Sequence, residues 1–176
     1  LALLVIDTRV EHSHASGGYA ERRASCEKGA AGLGVASLRD VTVGDLERAA
    51  RVLDDETFRR VRHIVTENAR VLAVVAALGD SGPRSIGPML AESHASMRDD
   101  FEISVPELDL AVSTAVAAGA IGSRMTGGGF GGAAIALVER GDLAEVSRSI
   151  HEAFAAAGFA EPATFEVLPS QGAGRV

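Results

Sequence analysis

The chain has 176 residues, a net charge of -7, 47% hydrophobic and 23% charged residues, which suits one globular domain burying roughly two-thirds of its unfolded surface and excludes a wholly disordered chain. The acidic balance, 4% aromatics and absence of Trp argue against a nucleic-acid surface. A single cysteine, Cys26, excludes an internal disulfide and a thiolate zinc cluster, and no apolar run reaches the ~18 residues of a membrane helix.

The chain opens on Leu1-Ala2-Leu3-Leu4-Val5-Ile6, an apolar run of strand length that ends at Asp7-Thr8-Arg9. It lacks an initiator Met and the charged start of a secretory signal, so the chain is expected to be a piece of a longer protein. A polar stretch, Glu11 to Ser16, leads through Gly17-Gly18 to a lone loop tyrosine, Tyr19. Ala20 to Leu33 suits a helix ending near Gly34. Thr42-Val43-Gly44-Asp45 has capping-box spacing ahead of a short helix through Leu46 and Ala50.

Asp54 to Leu78 is the clearest helix, with Phe58, Val61, Val65, Ala69, Leu72 and Val75 at three- and four-residue steps. Ile86, Met89, Leu90, Ser93 and Met97 predict another, stopping near Asp99-Asp100. Ser104-Val105-Pro106-Glu107 predicts a start, with Ser as cap and Pro in the first turn, for a helix that stops at Gly119. Ala120 to Thr126 runs into Gly127-Gly128-Gly129-Phe130-Gly131-Gly132, and Ala133 to Val138 follows as a strand. Asp142 caps a helix reaching Gly158, Thr164 to Leu168 is a last strand, and the tail from Pro169 is turn-rich. The pattern is α+β, helices covering a sheet.

The glycine run is the strongest chemical signal. Five glycines in six positions cost backbone entropy that a plain turn would not need, and such a loop lets backbone approach an anion or another backbone closely. A strand rather than a helix follows it, so it is not a dinucleotide-binding turn, and no Walker-type phosphate loop occurs. A hairpin turn with tight backbone packing remains an equal alternative. His12 and His14 read as solvated, and His63 and His94 as hydrogen-bonded structural residues. Asp99-Asp100 reads as an exposed helix end rather than a magnesium site, Cys26 as a small packing residue, and Arg22-Arg23 as a solvated face.

Three stretches go beyond composition: Tyr19-Ala20-Glu21-Arg22-Arg23-Ala24-Ser25-Cys26-Glu27, Glu92-Ser93-His94-Ala95-Ser96-Met97-Arg98-Asp99-Asp100-Phe101-Glu102, and Arg124-Met125-Thr126-Gly127-Gly128-Gly129-Phe130-Gly131-Gly132. In this order and spacing the chain resembles the C-terminal half of the galactokinases, within the GHMP small-molecule kinases. Arg62-His63, Thr66-Glu67-Asn68-Ala69-Arg70 and Pro169-Ser170-Gln171-Gly172-Ala173-Gly174 resemble the bacterial members. The resemblance implies a fold of helices on a mostly antiparallel sheet, a ferredoxin-like sandwich, with residues 1–176 forming the GHMP C-terminal domain. It implies a cytoplasmic enzyme that phosphorylates the C1 hydroxyl of α-D-galactose with ATP and Mg2+.

By the same resemblance, Tyr19 contacts the sugar. Thr126, Gly127, Gly128, Gly129, Gly131 and Gly132 form the third family motif, near the nucleotide phosphates. The family usually shows Ser-Glu before this tyrosine, where this chain has Gly17-Gly18. The family's N-terminal Glu-His-Asp signature, its Ser-rich phosphate loop and its proposed catalytic Asp and Arg have no counterpart among these residues. The expectation is therefore that no catalytic residue and no metal ligand lies in this chain, that an N-terminal domain completes it, and that it is inactive alone. The rivals are a non-catalytic galactose- and ATP-binding relative, a gene remnant, and a related sugar kinase such as an N-acetylgalactosamine kinase.

Overall fold

In the computed structural model, which describes residues 1–11, 15–172 and 174, the first apolar run is strand β1 (Ala2–Asp7). Helices α1 (Ala15–Leu33), α2 (Leu46–Val52), α3 (Asp55–Asp80), α4 (Gly87–Asp99) and α5 (Pro106–Ala117) follow. Strands β2 (Gly122–Thr126) and β3 (Ala133–Val138), helix α6 (Leu143–Ala157) and strand β4 (Ala163–Val167) complete it. The strands form one antiparallel sheet in the order β2-β3-β1-β4. This is the expected α+β architecture of helices on an antiparallel sheet.

Alternation on β1 decides which face the helices cover. Ala2, Leu4 and Ile6 are buried, because successive strand side chains point to opposite faces. Leu4 and Ile6 join Ala134, Ala136 and Val138 of β3, Leu108, Ala111, Val112 and Ala115 of α5, and Val146, Ile150 and Phe154 of α6 in the main core. On the other face Leu3 and Val5 stand beside Leu137, Ile135, Val167 and Phe165 by register, and Phe165 is exposed. A second, helical core gathers Ala30 and Leu33 of α1, Leu38, Val41, Ala49, and Val61 and Val65 of α3.

The helix ends follow local chemistry. Asp54 caps α3, its Oδ1 accepting the Thr57 amide at 2.9 Å. Asp45 accepts from the Thr42 amide (3.0 Å) and hydroxyl (2.7 Å) at the turn into α2, as the spacing predicts. Gly158 ends α6 in the left-handed region (φ 74°). At α5 the structure differs from expectation: Val105 is the cap position, and the Ser104 hydroxyl instead donates to Asp109 Oδ1 (2.5 Å).

Two further corrections concern elements. Gly17, Gly18 and Tyr19 lie inside α1, not in a loop, for a packing reason given below. Beyond Val65, the apolar stripe of α3 is not core: Leu72 and Val75 are 72% and 64% exposed. Periodicity identifies the helix, but nothing among the described residues covers that face.

Candidate functional site

The glycine run is a hairpin loop joining β2 to β3, with Thr126 and Ala133 as its last strand pair. The backbone lies in the left-handed region at Gly127 (φ 85°), Gly129 (84°), Phe130 (63°), Gly131 (130°) and Gly132 (85°), which explains the glycines. The loop is tied into the fold by its backbone. Phe130 N–H donates to Ile103 O (2.7 Å), Gly132 N–H to Val10 O (3.2 Å), and Thr8 N–H and Oγ1 both donate to Gly132 O (3.0 and 2.6 Å).

Each glycine has its own requirement. A Cβ at Gly129 would overlap Ile103 O, and one at Gly131 would stand 2.7 Å from Val10 O. A Cβ at Gly128 would overlap the Tyr19 phenol, whereas Gly127 faces open space. Close approach to other parts of this chain thus accounts for three of the glycines, and the hairpin alternative accounts for their packing. Among the described residues, nothing lies within 4 Å of a Cβ placed at Gly127.

Tyr19 and the glycine loop, 109 positions apart in sequence, meet here. The Tyr19 ring stands edge-on to Phe130 with centroids 5.8 Å apart. Phe130 also decides the fate of Gly18, where a Cβ would lie 2.5 Å from the Phe130 ring tip. The glycine is there so that α1 can pass over the aromatic side chain, and a helix containing it is the result. Tyr19 is 45% exposed, and its hydroxyl lies beside Gly128.

Arg22, one turn on from Tyr19, is not on a solvated face. Its Nε donates to Phe101 O (2.5 Å), its Nη2 to Glu102 O (2.9 Å), and its guanidinium lies 5.8 Å from the Phe130 ring centroid. The segment that Arg22 grips, Asp100 to Ile103, is the same one that receives the loop's Phe130 amide. It is held from behind by α3. Arg60, 2% exposed, donates to Asp100 O (2.5 Å) and Glu102 Oε2 (2.7 Å), and the bonds that Glu102 accepts from Arg60 and Arg59 bring its carboxyl down to about 2.

Arg62 pairs with Asp100 through both Nε (3.0 Å) and Nη2. Asp100 is therefore a buried, bonded group rather than an exposed helix end, while Asp99 pairs with Arg98. His63 stacks on Phe101 (4.4 Å between centroids) and its Nδ1 is 3.0 Å from Ser96 Oγ. Burial pushes His63 down to about 4, so its ring is neutral at physiological pH. The sequence reading of His63 as a structural residue agrees with this placement.

Tyr19, Thr126 and Gly127 to Gly132 thus share one end of the molecule. Arg22, Phe130 and Ile103 also belong to that end; Arg22 was assigned a different role from sequence, and Ile103 carries no local signal of its part. His12 and His14 lie outside the described residues. Among the described residues, no group of three or more His, Cys, Asp or Glu side chains gathers as a metal site requires. A groove of about 550 Å³ includes Cys26, Val35, Leu38, Ile64 and Asn68 and no hairpin residue; burial raises the Cys26 thiol and disfavours the reactive thiolate.

Residues 74–156 match the family model described as GHMP kinases C terminal. The galactokinase of Streptomyces coelicolor is 58% identical over the whole of this chain, which covers 46% of that protein. The human galactokinase is 46% identical over 86% of this chain and 39% of its own length. The crystal structure of Lactococcus lactis galactokinase complexed with galactose superposes with a TM-score of 0.88 at 27% identity, over 94% of this chain and 44% of that one. The chain thus spans about half the length of the relatives it matches. Along its whole length it is similar to the C-terminal portion of the galactokinases, and over residues 74–156 to the C-terminal region of the GHMP kinases.

Proposed function

We propose that this chain supplies the sugar-contacting tyrosine and the third glycine motif of a galactokinase, which transfers the γ-phosphoryl group of ATP to the C1 hydroxyl of α-D-galactose. The observation that carries the reading is the meeting of Tyr19 with Gly128 and Phe130. Two segments far apart in sequence, each resembling a different family motif, form one surface with a partly exposed tyrosine and, among the described residues, an open backbone position at Gly127. An amphipathic phenol suits a pyranose, with a ring to pack and a hydroxyl to bond. A left-handed glycine backbone suits a phosphate or the loop that cradles it.

The residues present fit part of that task. Gly127 and its neighbours would lie against the nucleotide phosphates, and ATP supplies the transferred group. No carboxylate cluster for Mg2+ is found among the described residues, so the reading assigns the metal, the phosphate cradle and the proton-accepting group to an N-terminal galactokinase domain. Phosphoryl transfer depends on positioning and charge stabilisation by those parts, so the chain alone is inactive in this reading.

The test is a chimera in which the N-terminal portion of the Streptomyces coelicolor galactokinase is fused ahead of Leu1. The expected result is ATP-dependent formation of galactose 1-phosphate by the chimera and none by the 176-residue chain. Turnover of N-acetylgalactosamine in preference to galactose would replace the substrate. Sugar and ATP binding without product in a well-folded chimera would favour the non-catalytic relative instead.

A further inference from the structure

Strand β2 pairs with β3 on one side and lies at the edge of the sheet. Edge amides need other partners. Met125 N–H finds one in His94 Nδ1 on α4, 3.3 Å away. Helix α4 comes that close because glycines face each other: a Cβ on Gly122 would stand 2.6 Å from Gly87 Cα, and one on Gly87 would overlap Ile121 O. A side chain thus substitutes for a fifth strand, one residue before the glycine hairpin begins at Thr126.

His94 is buried, and its other ring nitrogen, Nε2, lies 3.1 Å from Asp109 Oδ1, off the straight line of a hydrogen bond. Asp109 is itself fixed by the Ser104 hydroxyl at 2.5 Å. A ring that accepts at Nδ1 must be neutral and carry its proton on Nε2, which here faces the carboxylate. A doubly protonated ring would set an Nδ1–H against the Met125 N–H, donor against donor.

We propose that His94 is a positioning residue for the glycine hairpin: as the Nε2–H tautomer selected by Asp109, it holds the Met125 amide and so fixes the strand that carries Thr126 to Gly132 toward Tyr19. Its effect on turnover rests on the kinase reading above; its effect on β2 does not. The charged groups around the ring are Asp109 of α5, Arg98 and Asp99 of α4, and Arg124 of β2. Burial is the largest influence and lowers the ring's pKa; Asp109 raises it, and Arg98 and Arg124 lower it further. The contact is therefore made at neutral pH and released in acid.

Two arms test this. In the 176-residue chain, nitrogen NMR is expected to show His94 Nδ1 unprotonated at pH 7. His94→Leu is expected to speed hydrogen exchange of the Met125 amide, on the order of 10-fold beyond any change in β1 and β3 amides. His94→Asn, whose Oδ1 can stand where Nδ1 was, restores protection. In the chimera, His94→Leu is expected to lower kcat by roughly 10- to 100-fold, the scale of a small misplacement of reacting groups, and Asn to recover most of it. The acid limb due to His94 in the pH profile should disappear in the Asn variant.

A proton on Nδ1 at pH 7, unchanged Met125 exchange, or equal kcat losses in folded Leu and Asn variants overturns the proposal. Should the Leu variant not fold, the native tautomer and the Asn variant decide. An inactive native chimera counts against the kinase reading, while the exchange arm still decides the role of His94.

Discussion

Gly129 gives the sharpest test of why the hairpin is built of glycine. Its φ is +84°, and a methyl there would overlap Ile103 O and stand 2.6 Å from Ile103 Cβ. Ile103 is buried in the main core and its carbonyl accepts the Phe130 amide at 2.7 Å, so no side-chain rotation makes room. Gly129→Ala is expected to incur about 1–2 kcal/mol for a left-handed non-glycine backbone and about 1 kcal/mol for a stretched or lost hydrogen bond. The sum, about 2–3 kcal/mol, should appear as a lower urea midpoint of the chain with an unchanged m-value. The control is Gly127→Ala, with nearly the same φ (+85°) and open space around it, which should lose only the conformational part. Equal losses at the two positions, or a loss under ~0.5 kcal/mol at Gly129, would refute the close-approach argument.

Three other outcomes follow from the same geometry. Gly128→Ala meets the movable end of Tyr19 rather than backbone; in the chimera it should raise KM for galactose while the chain loses no more than the ~0.5–1.5 kcal/mol of an aromatic pair. Tyr19→Phe should weaken galactose binding, read by titration calorimetry on the chimera, and leave Tm nearly unchanged because the ring still meets Phe130; a large drop in Tm would mark the hydroxyl as structural. His63 titrates near 4 in the folded chain against 6.5 when free, so on acidification the unfolded state takes up the proton first. Its contribution is constant above pH 7 and falls by about 3 kcal/mol between pH 6.5 and 4; His63→Gln should flatten that part of the stability profile, and an unchanged slope would dismiss the assignment.

The fold was legible where local pattern and tertiary need agree. Ala133 to Val138 is a strand by length and composition and is the strand observed. Asp54 and Gly158 mark helix ends by residue types whose geometry is local. Strand β2 left a weak signal because Gly-Ser-Arg-Met-Thr has little apolar alternation: Gly122 is dictated by Gly87, and Ser123 is buried with its hydroxyl bonded to Ile135 O. Gly17-Gly18 resembles a loop because glycine weakens helices in isolation; the reason to keep Gly18 in α1 is Phe130, more than a hundred residues on. Arg22, Arg60 and His94 could not be placed in advance, since the groups that fix them include the carbonyls of Phe101, Glu102 and Asp100 and the amide of Met125, backbone groups without a sequence signature.

The sheet order carries a consequence for how the chain acquires its structure. Of the four strands the earliest in sequence is an inner one: β1 lies between β3 and β4, and Leu3 pairs with Leu137 and Val167. Neither neighbour exists until most of the chain has emerged, and closing loops of that length must precede any reward from pairing. The helical core of α1 to α3, made of contacts much nearer in sequence, can assemble while β1 is still an unpaired apolar segment with both edges open. During synthesis that segment is open to misassociation, and the time taken to translate from β1 to β3 and β4 sets how long the exposure lasts.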